Sequence, residues 1–289
     1  MPLTSLGRRN FLGLLAGSAI VSACNAQSKN SQVQAQSTSA IKLAKNFQIY
    51  DSLMYREKPD LGLPKVQIYG GAFWQKGDQA RQIPVEKAVR DQAQYAATHF
   101  DRFVIDIEHW PLDIRKDSPE AVQASMQKII QIYDWMKDEV PKLSIGMYAF
   151  PPIRDYWTPA RPTPAGMGAW RRANEFLRPL ASRVDFLAPS LYTFYDNPRG
   201  WEVYAKANII EAQQFGKPIT PVLWCRFHVS NKKLRGIFIP DSFWLTQLQT
   251  VRNSGMEGVI LWDSNSKPGS RFDPEWDWWQ TTLKFAKTL

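Results

Sequence analysis

Apolar positions along the chain follow two alternating rhythms. Short runs dense in β-branched and aromatic residues have the length and composition of strands: Phe47 to Tyr50, Val66 to Tyr69, Phe103 to Ile107, Leu143 to Phe150, Val184 to Tyr192, Ile219 to Cys225 and Gly258 to Trp262. Between them the apolar residues recur at helical spacing. The clearest case begins with Ser118 and Pro119 as N-cap and first-turn proline, and puts Val122, Met126, Ile129, Ile130, Tyr133 and Val140 on one face. Further helices are expected near Val85 to Thr98, Ala169 to Ala181, Trp201 to Phe215 and Ser242 to Asn253, with Gly216 and Gly255 as C-terminal stops. Strands alternating with helices predict an α/β fold built on a parallel sheet. About seven strands of this apolar density favour a closed (β/α) TIM-like barrel, distorted or seven-stranded, over an open sheet.

The first residues follow neither rhythm. Arg8 and Arg9 precede Asn10, Phe11 and Leu12, then a short apolar run ends at Val21, Ser22, Ala23 and Cys24. A positive start, a brief hydrophobic stretch and small residues at its end make an export signal, too short to span a bilayer permanently. The twin arginines resemble a twin-arginine signal, and the last four residues resemble a lipoprotein box in which Cys24 is lipidated. Residues 25 to 42 are Ser, Gln, Asn and Ala with hardly an apolar side chain, a composition that cannot order itself. The expected organisation is therefore a signal over 1–23, a lipid-anchored flexible tether over 24–42 and one domain over 43–289. Such a protein works outside the cytoplasm, in a bacterial periplasm or at the cell surface, held to a membrane through Cys24.

Composition narrows the partners. The formal charge is +9, of which Arg8 and Arg9 supply two, so +7 remains beyond the signal. A basic balance suits an anionic partner such as an acidic polysaccharide. Nucleic acid is not expected, because no Lys/Arg-rich run interleaves with aromatics. Cys225 has no partner if Cys24 is lipidated, so no disulfide supports the fold. His99, His109 and His228 are scattered without the spacing of a metal site, no phosphate loop or nucleophile elbow appears, and no cofactor is implied. The chain reads as a monomer. Its 12 Trp, 10 Tyr and 15 Phe exceed what a core of this size requires, and aromatic faces stack well on sugar rings.

The chemistry concentrates in one strand. Asp106 and Glu108 stand two apart at the end of an apolar β-branched run, hence on the same side of it. Two acids held close in a half-buried place cannot both ionise freely, so one pKa is expected to rise into the general-acid range. Barrel active sites form at the C-terminal ends of strands, and polar and aromatic residues collect at the other ends too. Trp110 follows Glu108; Tyr148 and Phe150, then Tyr192 and Tyr195, then Trp224, Arg226 and His228, then Trp262, Asp263 and Ser264 close successive strands. Arg226 could pair with an anionic substituent of a substrate or form a salt bridge within the barrel mouth.

In this order and at these intervals, VIDIEHWP at 104–111, GMYAFP at 146–151, APSLY at 188–192, PVLWCR at 221–226 and GVILWDS at 258–264 resemble the hyaluronidase family of glycoside hydrolases. The resemblance covers most of residues 47–265. It implies a distorted barrel and an endo-β-N-acetylhexosaminidase acting on hyaluronan-like polymers. Glu108 matches the family's acid/base glutamate and Asp106 its partner aspartate; Tyr192 and Trp262 match the residues that hold and wall the substrate's N-acetyl group. The chain departs from the family at Phe150, often Tyr there, and lacks the disulfides of animal members. The implied mechanism is substrate-assisted, the N-acetyl carbonyl serving as nucleophile. Two other readings stay open: a two-carboxylate glycosidase with Asp263 or Asp51 as second acid, and a non-catalytic polysaccharide-binding lipoprotein.

Overall fold

Seven short parallel strands alternate with helices in the computed structural model, which describes residues 47–74, 84–264 and 271–289. The strands are β1 (Gln48–Met54), β2 (Val66–Tyr69), β3 (Arg102–Ile105), β4 (Ser144–Tyr148), β5 (Phe186–Ala188), β6 (Val222–Trp224) and β7 (Gly258–Ser264). The helices are α1 (Glu86–His99), α2 (Pro119–Glu139), α3 (Trp157–Ala160), α4 (Pro164–Phe176), α5 (Arg178–Arg183), α6 (Pro198–Gln213), α7 (Asp241–Asn253) and α8 (Asp277–Ala286). Strands pair as β2-β3-β4-β5 and as β1-β7-β6. Single parallel bridges close the two gaps, Asp51 with Lys65 between β1 and β2, and Leu187 with Ile219 and Ser190 with Val222 between β5 and β6. The result is a distorted barrel, as the alternation predicted.

Local chemistry explains the boundaries. Ser118 caps α2 by accepting from the Ala121 amide at 3.2 Å, and Pro119 occupies the first turn. Gly216 and Gly255 follow their helices with φ of 64° and 75°, the left-handed conformation that stops a helix cheaply only with glycine. The single helix expected over 169–181 is instead α4 and α5, broken at Leu177, after which Pro179 lies in the first turn of α5. Helix α8 was not expected, since Trp, Thr and Phe dominate it and favour strands; its burial of Trp278, Trp279 and Phe285 overrides that preference.

The barrel is filled rather than open at its N-terminal end. The Arg102 guanidinium lies 4.6 Å over the Tyr50 ring and 5.1 Å over that of Phe186, and donates to Thr220 Oγ1 at 3.3 Å. Gly146 makes room for this layer, because a Cβ there would stand 2.5 Å from the Phe186 ring. Most tryptophans serve the core: Trp170, Trp201, Trp244 and Trp278 are buried, and the first three donate their N–H to Ile153 O, Leu191 O and Thr282 Oγ1. Core packing thus accounts for much of the aromatic excess. Free Cys225 is buried, an inert thiol pushed well up in pKa by burial. Cys24, the signal and the whole of the tether lie outside the described residues.

Candidate active site

The two acids sit just past the end of β3, which stops at Ile105. Alternation continues beyond the strand, with Ile105 and Ile107 buried, Asp106 half-buried and Glu108 exposed. Backbone contact with β2 holds Asp106, whose amide donates to Tyr69 O at 3.2 Å. The next residue of that strand end has to be glycine: a Cβ on Gly70 would lie 1.8 Å from the Asp106 carbonyl oxygen. Burial, and secondarily the neighbouring Glu108, pushes the Asp106 carboxyl up to about 7, with Arg154 pulling the other way. One member of the pair is raised as expected, and it is the more buried one. Below about pH 7 the substrate-free Asp106 carboxyl is therefore largely protonated.

Arg154, which sequence reasoning missed, faces Glu108. Its Nη2 lies 3.4 Å from Glu108 Oε2 and its Nη1 donates to Ser190 Oγ at 3.2 Å. The loop carrying it is fixed on both sides. Ala149 turns the chain with φ 59°, then the Ile153 amide donates to Asn174 Oδ1 at 2.7 Å. Asp155 accepts from Arg115 at 2.7 Å and from the Thr158 amide at 2.9 Å. Pinning both neighbours aims the guanidinium at the acids. The only sequence signal was a cation shortly after the β4 end, and a lone loop cation is ordinarily solvated.

Opposite the acids stands an aromatic wall. Tyr148, 3% exposed, donates its hydroxyl to Ser190 Oγ at 2.9 Å. Tyr192 follows two residues later, held because α6 grips the strand end: Tyr204 donates to Ser190 O at 2.6 Å and Trp201 to Leu191 O at 3.0 Å. The Tyr192 ring stacks on Trp262 with centroids 5.6 Å apart and planes 23° apart, and meets Trp224 at 5.4 Å. Asp106 is close enough to raise the Tyr192 phenol further, beyond what burial does. The pair of acids and the Tyr192–Trp262 pair thus belong to one mouth. His228 completes the wall, 6.0 Å from Tyr192, and burial with the nearby Arg154 charge holds its pKa down to about 4. Phe150 is half-buried against the core at the edge of this region.

Five expected candidates do other work. Asp263 is fully buried and accepts from Trp224 Nε1 at 2.7 Å, Arg226 Nε at 2.9 Å, Cys225 Sγ at 3.5 Å and the Tyr55 hydroxyl. Arg226 spends its guanidinium on that carboxylate, on Gly236 O at 2.8 Å and on the Phe238 face at 3.7 Å. Its salt bridge within the barrel mouth, one of the two readings, is the one observed, and it leaves no free fork for a substrate anion. Trp224 backs Tyr192 and Trp262 while bonded to Asp263, so it supports the wall from behind. Trp110 is corrected from cleft to core: it is 3% exposed, meets Trp74 edge-on at 5.5 Å and carries the Lys128 ammonium 4.5 Å over its ring. Asp51, the other candidate second acid, is buried in β1, paired with Lys58 and bonded to the Leu53 amide at 2.9 Å.

No protein-family model matches the sequence, and no curated protein matches it. Among solved structures the fold is similar to bee venom hyaluronidase, with a TM-score of 0.57 at 16% identity over 84% of this chain and 97% of that one. It is likewise similar to bee venom hyaluronidase in complex with a hyaluronic acid tetramer, with a TM-score of 0.53 at 16% identity over 78% of this chain and 83% of that one. At such identity the likeness is one of fold: an α/β chain wound as a distorted TIM-like barrel.

Proposed function

We propose that this chain is an exported glycoside hydrolase, an endo-β-N-acetylhexosaminidase that uses its substrate's own acetamido group as nucleophile. The observation that carries the reading is the facing of two unlike elements across one mouth: Asp106 with Glu108 on one side, Tyr192 stacked on Trp262 on the other. The fold shared with bee venom hyaluronidase, one structure of which holds a hyaluronic acid tetramer, supports it.

The proposed steps use this arrangement. A sugar ring against Trp262 brings its acetamido group toward Tyr192 and Asp106, and this proximity replaces an external nucleophile. The acetamido carbonyl oxygen attacks the anomeric carbon as the glycosidic bond breaks, while Glu108 donates its proton to the leaving oxygen. Asp106 accepts from the acetamido N–H and stabilises the positive charge that spreads over the cyclised group. Water then attacks the anomeric carbon, returning a proton to Glu108, and the product keeps its configuration. Asp106 acts in this step as the ionised carboxylate, the form it takes above its raised pKa of about 7. No second catalytic carboxylate is required. This agrees with the placement of Asp263 and Asp51, both buried and both already engaged.

Glu108→Gln tests the reading. Digestion of a glycan panel read by mass spectrometry is expected to show cleavage of N-acetylated polymers by the wild type, and none by the variant, which still binds them. A wild type that binds a glycan and cleaves none favours the binding lipoprotein; cleavage restricted to glycans without N-acetyl groups favours a two-carboxylate enzyme. The anchor is proposed with the same protein: metabolic labelling with a fatty acid is expected to mark the wild type and not Cys24→Ala, and equal labelling would remove the anchor from the account.

A further inference from the structure

Beyond Arg154, which contacts Glu108, lies a surface that the proposed chemistry does not use. A hollow of about 500 Å³ runs from Arg154 and Phe194 to Trp157 and Tyr195, and a second of about 440 Å³ starts from those same two aromatics and reaches Arg161 and Arg199. Trp157 and Tyr195 therefore form a ridge between them. Both are unusually open for their size, 45% and 39% exposed, with ring centroids 5.0 Å apart. The ridge is rigid. Buried Tyr156 supports both rings from behind, at 5.1 Å and 4.8 Å, and the Arg161 guanidinium covers Trp157 at 4.4 Å.

Charge distinguishes this patch from a chance cluster of aromatics. Arg161 and Arg199 are exposed and make no ion pair among the described residues. Nearby Arg115 is committed to Asp113 and Asp155, and Lys116 lies 3.6 Å from Asp113. Asp196, next to Tyr195, is an exposed acid on the same surface. The open Tyr195 ring and the face of Trp157 that Arg161 leaves uncovered offer apolar surface to a flat ring, and the guanidinium groups of Arg161, stacked on Trp157, and of Arg199, neither in an ion pair among the described residues, offer forks to a carboxylate or sulfate.

We propose that Trp157 and Tyr195, with Arg161 and Arg199, form a distal subsite that takes an anionic polysaccharide: one sugar ring of the strand stacks on the ridge and a neighbouring carboxylate or sulfate binds the arginines. The inference deepens the proposed function, since it places the strand along the same cleft, with Arg154 linking the subsite to Glu108. It also relocates anion recognition from Arg226, which Asp263 occupies, to arginines that make no ion pair among the described residues. Stacking supplies affinity for any sugar strand; the arginines add preference for charge.

Binding measured calorimetrically in the Glu108→Gln protein, where turnover is removed, separates the contributions. The probes are a hyaluronan decasaccharide, a hyaluronan disaccharide and a neutral chitin hexasaccharide. Trp157→Ala with Tyr195→Ala is expected to weaken the decasaccharide by at least about tenfold and to leave the disaccharide unchanged. Arg161→Gln with Arg199→Gln is expected to weaken the decasaccharide, flatten its salt dependence and spare the chitin probe. Trp157→Phe, which keeps an aromatic face, is expected to retain most of the affinity at an unchanged unfolding temperature. Unaltered decasaccharide binding in both double variants, equal losses for decasaccharide and disaccharide, or no binding of any probe by the parent protein would overturn the subsite. Its failure is separable from failure of the catalytic reading. A wild type that cleaves the polymer with the same KM as the ridge variants refutes the subsite alone, whereas a wild type that cleaves nothing but loses polymer on ridge substitution refutes the chemistry alone.

Discussion

Replacing Asp263 distinguishes a structural hub from a catalytic carboxylate, and its size can be worked from the contacts. The side chain is fully buried and receives Arg226, Trp224, Cys225 and Tyr55. Removing one partner of a buried ion pair costs about 3–5 kcal/mol, because the other charge is left uncompensated. Arg226 retains 19% side-chain exposure, its bond to Gly236 O and the Phe238 face, so the lower end applies. At roughly 2–4 °C per kcal/mol for a domain of this size, Asp263→Ala should lower Tm by about 6–12 °C. Differential scanning calorimetry checks this. Adding Arg226→Met should recover part of the loss, about 1–3 kcal/mol of coupling, since the orphaned charge goes with it. Activity of Asp263→Ala, assayed well below the transition, should fall by no more than about 10²-fold, the effect of a slightly displaced Trp224 on the wall it supports. Loss of a nucleophile costs on the order of 10⁴-fold or more, and azide, small enough to take its place, would restore turnover. A Tm within about 2 °C of wild type, together with a loss of that larger size rescued by azide, would refute the hub and reinstate the two-carboxylate enzyme.

Asp106→Asn should change how stability depends on pH: the native carboxyl keeps its proton up to about 7, whereas an unfolded Asp releases it near 4. Across that window the folded state binds more protons, so wild-type stability falls as pH rises, and the variant should become the more stable by an increasing margin from pH 4 to 7, then by a constant one. His228, held down to about 4, acts oppositely, its contribution being lost as pH falls from about 6.5, but both proteins share it; parallel Tm curves would refute the Asp106 assignment. Arg154→Gln removes the cation that opposes the rise, so a carboxylate titration followed by carbon-13 NMR should move the Asp106 pKa upward, and an unchanged value would detach Arg154 from the pair. Tyr192→Phe removes one hydroxyl from the mouth and is expected to reduce kcat by about 10–10³-fold with little change in polymer binding, while a loss confined to KM would make Tyr192 a simple binding residue.

The legible parts of this protein were those written in local pattern. Period-2 and period-3.6 rhythms located the seven strands of the described residues, and the two-residue spacing of Asp106 and Glu108 located the acids, because side-chain direction follows from strand geometry alone. Strand ends were less visible: the run ending at Ile107 stops pairing at Ile105, since bridging depends on the partner strand and not on composition. Partnership across the barrel was not legible. Arg226 and Asp263 stand 37 residues apart and occupy each other, and nothing local distinguishes that from two free charges facing a substrate. Arg154 shows the converse. Its aim depends on Ala149 adopting a left-handed conformation and on contacts with Asn174 and Arg115, none of which the residues around it announce. Trp110, adjacent to the acids in sequence, turns inward because Trp74 and Lys128 enclose it.

The central claim is that the substrate supplies the nucleophile. Cleavage of one polymer, compared in its N-acetylated and de-N-acetylated forms under identical conditions and read as product chains by mass spectrometry, tests it most directly. The account predicts rapid cleavage of the first and a rate lower by roughly 10³-fold or more for the second, because the intramolecular group and the partner of Asp106 and Tyr192 are lost together. Equal cleavage of both forms would contradict it.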